Sequence, residues 1–175
     1  MAVKEILLLG NPVLRTVCTA VSNFSDPKLQ MTIDDLRDTL DDFKKRNDFG
    51  RGIAAPQIGV TKRIIFINID EPVALINPRI VKRSRDSMTL WDDCFSFPDI
   101  MVKLQRSVSI RVEYLDRNGT SKVLDAEDGL SELLQHEIDH LDGVLAIDRA
   151  IDSKHIILRS EWEKLTHAKS NVHPL

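Results

Sequence analysis

The stretch Gln135-His136-Glu137-Ile138-Asp139-His140-Leu141-Asp142-Gly143, QHEIDHLDG, sets two imidazoles four residues apart with a carboxylate between them. On a helix, residues i and i+4 share a face, so both rings can reach one metal ion. The pattern predicts a helix over Glu127 to Leu141, closed by Gly143. At roughly 100° per residue, Leu130, Leu133, Leu134, Ile138 and Leu141 fall on one apolar arc, expected to be buried. Ser131, Glu132, Gln135, Asp139 and Asp142 mark the opposite side, expected to face water. His136 and His140 sit at one edge of the apolar stripe. Glu137 points into it, where a bare charge is costly and needs a partner or a water held by a metal. With a metal bound, Glu137 is the natural general base.

Two histidines do not complete a catalytic metal site, and three routes to a third ligand can be weighed. The pattern HExxHxxGxxH is matched as far as Gly143, but Ala146 stands where its last histidine would fall. A site of the thermolysin kind would draw on Glu161 or Glu163 downstream, residues that a solvated helix face explains equally well. Upstream, WDDCFSFP offers Cys94. The residues alone leave the downstream glutamates and Cys94 open.

Outward from this helix the chain alternates in period. Ser25-Asp26-Pro27 reads as a helix start, and Leu29, Ile33, Leu36, Leu40 and Phe43 recur at helical spacing, with the helix ending near Asn47 to Gly50. Gly50 to Val60, GRGIAAPQIGV, reads as a Gly-rich turn, RIIFINI (Arg63 to Ile69) as a strand, and ALINPRIV as another. The basic run VKRSRD (Val81 to Asp86) reads as a solvated loop. SVSIRVEYLD alternates in the strand period, Asn118-Gly119 is a hairpin signal, and TSKVLDA returns. Ser153 to Lys169 reads as a final amphipathic helix, and residues 170–175 as a frayed tail. The order predicts an α+β fold, antiparallel β-sheets packed around the central metal-binding helix, in one catalytic domain over residues 1–169.

Composition narrows the partners. With 175 residues, 42% hydrophobic and 29% charged, the chain is long enough for one sizeable core. A net charge of −3 gives no excess of cations for phosphates, so no direct nucleic-acid binding is expected. The apolar run near the N-terminus is too short for a membrane span or a signal segment, so no membrane partner is expected and the expected location is the cytoplasm. Cys18 and Cys94 do not make a disulfide framework; Cys18 reads as structural.

Three ordered motifs, GRGIAAPQIG (Gly50 to Gly59), DDCFS (Asp92 to Ser96) and QHEIDHLDG, resemble those of the peptide deformylases. GNPVLRTV (Gly10 to Val17), LINP (Leu75 to Pro78) and Arg106 agree with the same family, and the resemblance spans about residues 5 to 165. It implies that Cys94, His136 and His140 hold one divalent metal ion, iron(II) in the cell, with zinc, nickel or cobalt as alternatives. It implies hydrolysis of the formyl group from N-formylated nascent peptides, releasing formate, with Glu137 carrying the proton. The side-chain amide of Gln57 and the backbone N–H of Phe95 stand at the positions that hold the developing oxyanion. Gly50 and Gly52 would let an extended peptide pair closely, and Arg51, Ile53, Asp93, Glu132 and Leu133 would border the substrate. Contact with the ribosome and a monomeric state are further expectations.

The chain departs from the family at several of these positions. Asp92 stands where glutamate is usual, Asp93 where glycine is usual, and Phe95 where leucine is usual. Asp93 would bring negative charge to the metal and put a side chain where backbone freedom is common. Arg51 and Glu132 replace apolar residues, which opens the alternative of a deformylase-like hydrolase with an altered N-acyl substrate or low activity.

Overall fold

In Ile64-Ile65-Phe66-Ile67 every position is apolar because each serves one of two cores. Ile64 and Phe66 pack with Leu29, Ile33, Leu36 and Leu40 of a long helix, whereas Ile65 and Ile67 pack with Leu133, Leu134, Ile138 and Leu141. Successive side chains of a strand point to opposite faces, so a strand covered on both sides loses its polar alternation.

The computed structural model describes residues 2–47 and 49–170, the last four by backbone only. Its elements are α1 (Pro27–Asn47), β1 (Gly52–Ala54), β2 (Ile64–Asn68), β3 (Pro72–Arg83), β4 (Ser87–Asp92), β5 (Ile100–Ser107), β6 (Ser109–Leu115), β7 (Ser121–Glu127), α2 (Asp128–Leu141), β8 (Ile156–Leu158) and α3 (Arg159–Ser170). An antiparallel sheet of order β1-β2-β3-β6-β7 carries α1 on one face and α2 on the other. A second antiparallel sheet, β4-β5-β8, closes over α2 from the far side, with Leu14, Cys94, Phe97, Val102, Leu104 and Leu145 in its own core. The class is α+β with α2 central, as the element order predicts. No helix among the described residues is long and apolar enough to cross a membrane.

Local signals placed α1 well. The Asp26 side chain accepts from the Lys28 N–H at 2.9 Å, and Leu29, Ile33, Leu36, Leu40 and Phe43 are all buried. Four readings change with tertiary context. The expected Gly-rich turn contains β1, made a strand by its pairing with β2, and then a 3-10 turn at Ala55–Ile58. The expected loop at VKRSRD is strand up to Arg83, whose guanidinium donates to Gln135 Oε1 at 2.8 Å. Ser153 does not open a helix: Ser153–His155 is a 3-10 turn, Ile156–Leu158 pairs with Ile100–Val102, and α3 begins only at Arg159. A free strand partner on β5 outcompeted the helical spacing of Ile156 and Ile157. The expected wet side of α2 holds only at Asp142, which is exposed; Ser131, Glu132, Gln135 and Asp139 are all buried. A helix between two sheets has little wet side to offer. The expected tail lies, apart from Ser170, outside the described residues.

Gly143 ends α2 in the left-handed region at φ +72°, and a Cβ there would stand 2.6 Å from the Arg15 carbonyl oxygen. Both the backbone and the space exclude a side chain. Gly143→Ala should therefore lower unfolding free energy by more than about 2 kcal/mol, seen as a lower urea midpoint at unchanged slope.

Candidate metal centre

Cys94 lies two residues past the end of β4, and His136 and His140 lie one turn apart on α2. Their ligand atoms all fall within 4.8 Å of one another, and all three residues are buried. Cys94 Sγ is 3.2 Å from His140 Nε2. Asp92 takes the Nδ1 side of His136, at 3.0 and 3.1 Å from its two carboxylate oxygens, which leaves Nε2 for the cluster. His140 Nδ1 is buried with no partner among the described residues.

Electrostatics follow from this packing. Burial pushes the Asp92 carboxyl up, but His136 and Arg106 outweigh it and hold it at about 2. Burial disfavours charge on His136, yet Asp92 and Cys94 raise it well above the ordinary imidazole range. Burial, with His136 beside it, drops His140 well below that range and keeps it neutral. Burial pushes the Glu137 carboxyl up to about 7 against the pull of His136, and its Oε2 is buried without a partner among the described residues. A buried carboxylate oxygen with nothing to accept from is costly, and Glu137 lies on α2 between the two clustered histidines in sequence.

The other expected residues divide. Gln57 accepts from the Ala54 N–H at 2.9 Å through Oε1, while Nε2 donates to Ser96 Oγ at 3.3 Å and lies 3.7 Å from Cys94 Sγ. The Phe95 ring stacks on Phe43 with centroids 3.8 Å apart, which fixes the backbone just after Cys94 against α1. Gly52 is glycine because α2 comes so close: a Cβ would stand 2.9 Å from Glu137 Oε1 and 3.1 Å from Leu133 Cδ1. Ile53, expected to border the substrate, turns its side chain into the α1 core. Glu132, expected in water, is buried and accepts from Arg51 Nη2 at 2.5 Å, and Arg51 Nη1 also donates to the Gly129 carbonyl at 3.1 Å. Burial raises the Glu132 carboxyl, with Arg51 opposing. Asp93 has no left-handed backbone, and its carboxylate accepts from Arg159 at 2.5 Å, so its charge is largely answered by that guanidinium. Glu161 and Glu163 are exposed and outside the cluster, and Glu161 pairs with Lys164. Cys18 packs in the core, where burial pushes its thiol up to about 11.

Sequence reasoning missed the ion network that holds these parts together. Arg106 of β5 donates to Asp92 at 3.1 Å and also to Asp139 of α2, and Asp139 receives Arg149 at 2.8 Å. The available signal was an aspartate inside the metal-helix motif, which helical projection had sent to the surface. Asp92, Glu132 and His136 form a second close acidic group, but Arg106 and Arg51 already hold its carboxylates.

One sulfur and two imidazole nitrogens, with a buried carboxylate on the same helix, are a donor set that suits a metal-dependent hydrolase. Residues 3–155 match the polypeptide deformylase family. A peptide deformylase of Rhizobium meliloti is 38% identical over 154 residues, covering 85% of each chain. The crystal structure of the Thermotoga maritima peptide deformylase superposes with a TM-score of 0.81 at 35% identity, covering 87% of this chain and 100% of that one. The Synechococcus elongatus peptide deformylase, in complex with actinonin, gives 0.78 at 33% identity, covering 98% of this chain and 91% of that one. The chain belongs to the peptide deformylases, metal-dependent enzymes that remove the N-formyl group from nascent polypeptides.

Arg106→Met would leave Asp92 and Asp139 as buried carboxylates short of their shared cation. The expected loss is about 3–5 kcal/mol of unfolding free energy, measurable by urea titration.

Proposed function

We propose that the chain carries out the family's reaction at the Cys94, His136 and His140 cluster, within one catalytic domain over residues 1–169. The observation that carries this reading is the cluster of Cys94, His136 and His140, with Glu137 on the same helix holding a buried Oε2 that has no partner among the described residues. The ion we assign to the site in the cell is iron(II), which the thiolate and imidazole donors suit; zinc, nickel or cobalt suit them too. Such an ion, when bound, supplies Lewis acidity that activates water near neutral pH.

The chain's own residues do the rest. Glu137 takes a proton from the attacking water at Oε2 and delivers it to the departing nitrogen, so formamide and water become free amine and formate. The Gln57 amide and the Phe95 N–H donate to the oxygen of the formyl group as charge gathers there. The peptide lies along β1, an edge strand, at Gly50 to Ile53, with Ile53 contributing backbone only. Leu133 borders the first side chain, and Asp93 the far side of the groove. The enzyme acts in the cytoplasm as a monomer that meets its substrate near the ribosome.

Protein purified without oxygen in the presence of iron should release formate from formyl-methionyl peptides. Glu137→Gln should keep the metal and lose about 10²–10⁴ in kcat. Full metal occupancy with no turnover of any formyl peptide would overturn the reading.

A second reading, altered substrate preference, is favoured by one observation: the Arg51–Glu132 pair puts a guanidinium where an apolar wall is usual. The double variant Arg51→Ile, Glu132→Ile should raise the preference for methionine over glutamine at the first position by about tenfold, since removing a charged wall is worth about 1.4 kcal/mol or more. An unchanged ratio of kcat/KM values would leave the ordinary specificity in place.

A further inference from the structure

The loop that carries Cys94 is tied at both ends by one side chain from the far end of the chain. Arg159 stands at the junction of β8 and α3. Its guanidinium donates through Nη2 to Asp93 Oδ2 at 2.5 Å and through Nε to the Pro98 carbonyl at 2.6 Å, and its backbone N–H donates to the Asp99 carbonyl at 2.7 Å. The same guanidinium lies 5.2 Å from the centroid of the Phe49 ring, which meets Phe43 edge-on and lies 6.3 Å from Phe95. Between the tied ends lie Cys94, Phe95, Ser96 and Phe97; of these Cys94 belongs to the donor cluster, and Ser96 accepts from the Gln57 amide. Within the loop the Phe97 N–H donates to the Cys94 carbonyl at 3.1 Å, and the Ser96 N–H reaches Cys94 Sγ at 3.4 Å.

We propose that Arg159, acting through Asp93, is a positioning residue that holds Cys94 in place, so that the C-terminal strand and helix set how firmly the centre keeps its metal. Three features make this more than a surface ion pair. The Arg159 side chain is 23% exposed and that of Asp93 35%, so water screens the contact only in part. The planar guanidinium makes two directed bonds to the loop, a geometry lysine cannot copy. The β8–β5 ladder, Ile100 to Leu158 through Val102 to Ile156, fixes the arginine's own backbone, so the cation arrives already placed. A glycine at position 93 could make no such tie, so the aspartate and the arginine form one device.

The inference rests on Cys94 as a metal ligand, and the test separates the two ideas. The full chain is loaded with cobalt(II), and loss of the ion to excess chelator is followed by the thiolate-to-cobalt absorption band. Arg159→Ala and Asp93→Asn should each lose cobalt about tenfold faster than the parent, the lower end of what removing a residue behind a ligand does. Arg159→Lys should fall between, and the double variant should lose it no faster than the faster single. Asp93→Asn removes only the charge and decides the question should Arg159→Ala fail to fold. Parent rates in Asp93→Asn, or effects that multiply in the double variant, would overturn the latch and leave the centre standing. Absence of a thiolate band in the parent would overturn both.

Discussion

The buried guanidinium of Arg106 holds the molecule in register. It sits on β5, in the smaller sheet, and grips Asp92 at the end of β4 and Asp139 in the last turn of α2. Cys94 is two residues past one carboxylate, and His136 and His140 flank the other. The distance between the sulfur and the imidazoles is thus set by one cation and two anions in a medium that would penalise any of them alone. Arg149 grips Asp139 from outside, and His136 completes Asp92. The same carboxylate that neutralises the arginine orients the ring. One Arg106 nitrogen, Nε, stays without a partner among the described residues, so the network is strong but not complete.

Around that network the helix is enclosed on almost every side. Leucines and Ile138 meet the large sheet, the histidines and Asp139 meet the small one, and Gln135 and Ser131 bond to the Ser107 carbonyl between them. A helix can be buried all round without being apolar all round when its polar groups find fixed partners. Gly52 shows how close the fit is, since one methyl group there would strike the carboxylate assigned to proton transfer.

Two of the residues that stand out against the resembled motifs, Arg51 and Asp93, are each answered by a partner of opposite charge. Arg51 finds Glu132, and Asp93 finds Arg159. Each pair joins segments far apart in sequence, and each borders the centre without entering the cluster of donors.

Much of this was legible in the residues. The helical spacing of Leu29 to Phe43, the β-branched run at Ile64 to Ile67, the Asn118-Gly119 hairpin and the i, i+4 histidines are local signals, governed by backbone geometry that each segment carries with it. Three motifs in order then pointed to Cys94 over Glu161 and Glu163. What sequence could not reach were matters decided by a distant partner. Ile156 to Leu158 became a strand because β5 had an open edge, and Arg83 stayed in β3 to meet Gln135. Glu132 and Asp139 went inside because Arg51, from the surface, and Arg106, in the interior, answer their charges. Periodicity reads which side of a helix is polar, but polar means wet only when nothing charged of opposite sign is folded against it.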